Sequence, residues 1–142
     1  NAWIPQNEEK EKEQKEGNLR GPGLLLMAAG KYDITIEQGS DLDLDIDYKD
    51  SAGSLLALAT GYSAAMKIKE SVGGTEIASL TSGSGITLAS TSPNINVKIA
   101  YGTTANYDFD NAVYDLELTN TVADTKSRIL EGRVILSREV TA

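Results

Sequence analysis

The chain has 142 residues, with 13 Lys plus Arg against 21 Asp plus Glu, a formal net charge of -8, and neither cysteine nor histidine. That length suits one domain of about 100–150 residues, with or without a tail, and not two. The acid excess offers nothing to draw the chain onto nucleic acid or an anionic membrane. The missing residue types exclude disulfide frameworks, thiolate chemistry, the usual zinc ligand sets and histidine-based triads. The expectation is a binding or structural protein that is not an enzyme, with no catalytic, cofactor-binding or metal-ligating residues and no cofactor.

Residues 1–30 read as a charged arm. Positions 8–16, EEKEKEQKE, hold nothing apolar to bury. Glu8 with Lys12 and Glu11 with Lys15 stand at i,i+4, each pair worth about 0.2–0.5 kcal/mol, so a solvated helix of this length is marginal. Gly17, Gly21, Pro22 and Gly23 then act as a hinge. The apolar run 24–27, LLLM, is far below the roughly 18 residues that span a bilayer, and the acidic stretch before it is the wrong flank for a signal peptide. Met27 precedes the first patterned segment, so residues 1–26 read either as an added leader or as a native arm.

From Lys31 to the C-terminus the pattern changes to short alternating segments separated by Gly, Ser, Asn and Thr clusters, which assigns residues 31–142 to a β-domain. The clearest case is 41–48, DLDLDIDY, where Leu42, Leu44, Ile46 and Tyr48 alternate with four aspartates. One face of such a strand is buried and the other meets water. Further strands are predicted at 32–36, 64–70, 76–80, 85–89, 94–100, 112–119 and 128–140. Segment 101–111 lacks the alternation and predicts a crossover loop or one helical turn, and 120–126 a hairpin tip. About eight strands with aliphatic inner faces pack economically as two antiparallel sheets about 10 Å apart. The fold class is therefore all-β, an immunoglobulin-like antiparallel β-sandwich with a charged N-terminal arm. A small closed barrel is the runner-up.

The aspartates at 41, 43, 45 and 47 do not form a calcium loop. The sixth position is Ile46 rather than Gly, and alternate carboxylates on a strand lie about 6.6 Å apart. They read as a solvated strand face. Lys67 and Lys69 also point outward by parity and are expected near Asp43 and Asp45 or Asp47 if the two strands pair. A two-carboxylate glycosidase site would need an aromatic-lined cleft, and the one Trp, Trp3, lies in the arm. The glycines of SVGGTE at 71–76 and SGSG at 82–85 are turn glycines, since no Lys-Ser/Thr and no helix follows them.

Two groups are candidates for a partner surface. Tyr101, Tyr107 and Phe109, with Asp108 and Asp110, form the densest aromatic-acidic cluster, which reads either as an exposed contact surface or as a plug for an open end of the sandwich. Ile129 and Ile135 face outward by parity on the last strand among its charges, and exposed apolar residues suggest contact with another protein or another copy of the chain.

Several segments resemble a known group. They are YDITIEQGSDLDLDIDYKDSAG (32–53), YSAAMKIKE (62–70), GSGITLASTSPNINVKI (83–99), YDFDNAVYDLELTN (107–120) and RILEGRVILSREVT (128–141). The chain from 31 to 141 resembles small β-sandwich proteins encoded among tailed-bacteriophage structural genes, and is similar to the N-terminal domain of siphophage baseplate upper proteins. The matching positions include Gln38-Gly39, the Asp50 to Gly53 turn, Ala65 to Lys69, Gly85 to Leu88, Tyr114 to Leu118 and Glu131-Gly132. The family's D-L-T-G stretch is replaced here by LLALATG at 55–61. The resemblance implies a virion structural or assembly module of the tail, baseplate or fibre-attachment region, assembled in the host cytoplasm. Its partners would be other virion proteins or itself as a homo-oligomer, with no nucleic acid and no membrane. The alternatives are a carbohydrate-binding or adhesin-type sandwich, with Tyr101, Tyr107 or Phe109 on the sugar, and a head decoration protein.

Overall fold

The computed structural model describes residues 23–26, as backbone, and 30–141. The charged segment expected to form an arm lies mostly outside the described residues. In chain order the elements are β1 (Gly23–Leu26), β2 (Gly30–Lys31), β3 (Ile34–Glu37), β4 (Leu42–Tyr48), β5 (Tyr62–Lys69), β6 (Glu76–Ser82), β7 (Gly85–Leu88) and β8 (Ile95–Ile99). A single helical turn, α1 (Tyr101–Thr104), then leads to β9 (Asn111–Asn120) and β10 (Thr125–Ser137). The domain is all-β. Period two makes these strands: along β4 the side chains of Leu44 and Ile46 are buried while Asp43 is exposed, and β9 buries Ala112, Tyr114, Leu116 and Leu118 in strict alternation.

The strands form one curled, mixed sheet in the order β1-β4-β8-β7-β6-β5-β9-β10-β2, with β3 also paired to β10. The expectation was purely antiparallel pairing. Instead β2 and β3 both lie parallel to β10, β1 lies parallel to β4, and β6 pairs with β7 in parallel at a corner. β2 and β3 occupy the edge of β10 that β9 leaves open, and the chain enters that edge running in the same direction as β10. Between β6 and β7 the only paired positions are Thr81 with Gly85 and Ser82 with Ile86, around a corner where Gly83 (φ 91°) and Gly85 (φ 99°) adopt left-handed backbone. The curl closes over one hydrophobic interior, which joins Ile46, Ile86, Ile95 and Val97 on one side of that corner to Met66, Ile68, Leu116 and Val134 on the other. Each such aliphatic side chain contributes about 1.5–3 kcal/mol by its burial.

Two pairing details correct the sequence reading. β5 pairs with β6 and β9, and β4 with β8 and β1, so Lys67 and Lys69 do not meet the β4 aspartates. Lys67 stands opposite Asp115 and its ammonium lies 3.4 Å from Glu76; across from Asp43 stands Lys98. Strand parity assigns a face but not a neighbour, and these strands lie on opposite sides of the β6/β7 corner. The last strand also ends at Ser137, short of residue 140. The four-residue hairpin tip at 121–124 and the helical turn at 101–104 match their sequence expectations.

Candidate functional site

The end of the sheet that carries α1 brings most of the aromatic cluster together. Asp41 Oδ1 accepts the Tyr101 backbone N–H at 2.7 Å and so holds the start of the turn. Thr104, fully buried, accepts the Gly39 N–H at 3.1 Å and donates its hydroxyl to the Ser40 carbonyl at 2.8 Å. Gln38 donates to the Tyr107 carbonyl at 2.9 Å and accepts the Glu139 N–H at 2.8 Å. Arg138 reaches Asp108 at 2.9 Å, Asp110 at 3.2 Å and the Phe109 carbonyl at 3.2 Å. The hydrogen bonds to Asp108 and then Asp110 hold its guanidinium still more firmly protonated than usual.

This clamp draws Tyr107 into the core, where it is 9 % exposed, with Phe109 packed half-buried beside it at a ring separation of 5.8 Å. Of the three aromatic residues expected on a partner surface, only Tyr101, 65 % exposed, stands out from the domain. Tyr107 is a plug, because the loop 105–110 is tied down on both sides.

Ile129 is also corrected. The β9/β10 register shifts between Arg128 and Leu130, and this bulge turns both Ile129 and Leu130 inward, leaving each 1 % exposed. An inserted residue resets parity, so a rule of alternation run back from Leu136 mislabels everything before the bulge. Ile135, beyond the bulge, keeps its outward parity and is half-buried.

The outer face around β9 is laced with charge. Glu117 of β9 stands opposite Arg128 of β10 and Asp115 opposite Glu131, and the ion pairs run diagonally, with Arg128 to Asp115 at 3.5 Å and Lys126 to Glu117 at 3.8 Å. Glu131 binds both Arg128, at 3.1 Å, and Lys31, at 3.5 Å. Exposed pairs of this kind are worth only about 0.2–1 kcal/mol each, so they set register and solubility more than strength. The four β4-side aspartates are likewise engaged locally. Asn96 on β8 donates one amide hydrogen to Asp43 and one to Asp45, both at 2.7 Å, and Ser92 donates to Asp47 at 2.6 Å.

At the opposite end from α1 lies a recess of about 150 Å³. It is lined by two tyrosines, Tyr48 and Tyr62, two leucines, Leu56 and Leu118, and three uncharged polar residues, Asn120, Thr125 and Ser127. Burial, and then the nearby Tyr62 phenol, push the ionisation of Tyr48 upward, so it stays a neutral hydroxyl. The loop that follows β4 is held against this end by Asn94. Its buried amide accepts the Tyr48 N–H at 2.8 Å and donates to the carbonyls of Tyr48 at 2.8 Å and Leu56 at 2.9 Å.

Sequence reasoning missed Asn94, Thr104 and the Tyr48/Tyr62 pair. Asn94 is the polar first position of a predicted strand and Thr104 lies in a polar loop, places where an Asn or Thr looks exposed. Parity makes Tyr48 one more inward residue, and its meeting with Tyr62 is a product of tertiary folding. No family model matches the chain, and neither does any curated protein.

Proposed function

We propose that this domain is an immunoglobulin-like sandwich that serves as a non-enzymatic structural or assembly module of a phage virion, acting through protein–protein contacts. Two features support the sandwich. The strands β4-β8-β7 and β10-β9-β5-β6 follow the B-E-D and G-F-C-C′ orders of that fold, and they share one interior across the β6/β7 corner. The virion assignment rests on the resemblance of residues 31–141 to tailed-phage structural proteins, with the tail, baseplate or fibre-attachment region as the place and assembly in the host cytoplasm.

The observation that carries the contact function is where the large exposed apolar side chains fall. Among the described residues, Tyr101 (65 % exposed), Val72 (92 %) and Val140 (98 %) lie in segments at the α1 end and Val122 (86 %) on the hairpin tip at the other end, whereas the β9 face is covered by paired charges. The strand registers place the α1-end segments together: Lys69, before Val72, stands opposite Val113 near the start of β9, and Leu136 donates its N–H to the Asp110 carbonyl. Exposed apolar side chains gathered at one end of a domain are suited to burial against a partner.

The test is quantitative mass spectrometry of purified particles from cells carrying the gene, combined with chemical cross-linking. The proposal expects the chain as a stoichiometric particle component whose cross-links concentrate around Tyr101 and Val140. Its absence from the particles overturns the virion role.

A further inference from the structure

We propose that the recess between Tyr48 and Tyr62 is a binding site for one ring of a neutral saccharide. On a chain of net charge -8, the described residues in the wall of this concavity include no charged side chain, only two phenols, two leucines, an amide and two hydroxyls. An ionic ligand entering it would lose hydration and meet no counter-charge, and a purely apolar ligand would strip water from five polar side chains without replacing it. A sugar ring satisfies both halves: its C–H face lies on aromatic and aliphatic surface while its hydroxyls exchange hydrogen bonds with the amide and hydroxyl groups.

Size narrows the ligand further. Sites for whole drug-sized molecules run about 300–1,000 Å³, so a recess of about 150 Å³ accepts at most one ring, with the rest of any glycan outside. The polar groups are also preorganised. Asn120 Oδ1 accepts the N–H groups of Val122 and Ala123, both at 3.0 Å, which fixes the amide and leaves its nitrogen as the donor, 3.5 Å from Tyr62 Oη. The Thr121 N–H donates to the Gly61 carbonyl at 2.9 Å and ties the hairpin tip to the start of β5. Most of the lining residues stand on strands β4, β5, β9 and β10 rather than on loops, so little ordering remains to oppose binding. The aromatic platform expected around Tyr107 is not available to a sugar, since Tyr107 is in the core. This inference stands independently of the virion role.

The test is an amide chemical-shift titration of the full chain with methyl glucoside, methyl galactoside and N-acetylglucosamine, with glucuronate as the charged comparison. The expected result is a saturable shift of the Tyr62, Asn120, Thr125 and Ser127 amides with at least one neutral sugar and none with glucuronate. Tyr62→Ala should weaken binding by about tenfold or more, and Tyr62→Phe, which keeps the ring, by less. Should Tyr62→Ala fail to fold, Ser127→Trp at an exposed strand position fills the recess instead and should abolish the shifts. Two results overturn the proposal: no saturable shift with any of the three neutral sugars, or undiminished binding by the Tyr62→Ala or Ser127→Trp protein.

Discussion

Tyr114 on β9 donates its phenolic hydrogen to the main-chain oxygen of Tyr32 at 2.6 Å, joining positions 82 residues apart in sequence. The bond fastens the segment between β2 and β3 onto the sheet, where Tyr32 N–H in turn donates to the Glu131 carbonyl at 2.9 Å.

Tyr114→Phe removes the donor and leaves a carbonyl without it in a largely desolvated place. The expected cost is about 1–3 kcal/mol in denaturant unfolding. Burial first, then the Tyr32 phenol and the carboxylates of Asp33 and Glu131, push Tyr114 ionisation well up from its ordinary value of 10.0. A raised value means the folded state holds the proton that the unfolded state releases, so this contribution is intact below pH 10 and lost above it. The stability gap between the native chain and Tyr114→Phe should therefore be constant near neutrality and shrink in alkali.

Gly132 permits the same close approach from the β10 side. A Cβ there would overlap the Tyr32 carbonyl oxygen, which is backbone and cannot rotate away. Gly132→Ala should destabilise by about 1–3 kcal/mol, as overpacking does, and speed amide exchange at Tyr32. Gly53, whose added Cβ meets nothing but whose φ is +89°, separates the two causes. Gly53→Ala carries backbone strain alone and should leave Tyr32 exchange unchanged.

Ile129 and Ile135 should differ sharply. Ile129→Ala empties a fully enclosed position beside the bulge and should cost about 2–5 kcal/mol. Ile135→Ala, at a half-buried site, should cost clearly less. Equal midpoints for the two variants in chemical denaturation would show that the bulge does not turn Ile129 inward.

Asp33 gives a dependence in acid. It accepts the Arg133 backbone N–H at 2.9 Å, and that bond, aided by the Arg133 charge, holds its carboxyl below the ordinary 3.8. A lowered value means the contribution is complete above pH 3.8 and fades as pH falls through the folded-state value. The melting-temperature difference between the native chain and Asp33→Asn should be small, largest near neutrality, and vanish in strong acid. A difference that grows on acidification would reverse the assignment.

Much of the strand pattern was legible because alternation is a local property. Leu44, Ile46, Leu116 and Val134 are buried as period two requires, and the hairpin at 121–124 follows from polar turn residues between two strong strands. The candidate site was less legible. Tyr101 and Tyr107 share one sequence cluster yet end on opposite sides of the protein surface, because Gln38 and Arg138, both distant in sequence, pull the loop inward.

The order of residues alone determined which segments extend and which side of each meets the core, since both depend on neighbours two positions apart. Tertiary structure decided which strands became neighbours, where the bulge at Ile129 reset parity, and that Tyr48 and Tyr62 share a recess. Those outcomes depend on contacts between residues far apart in the chain, and such contacts exist only once the sheet has curled around its interior.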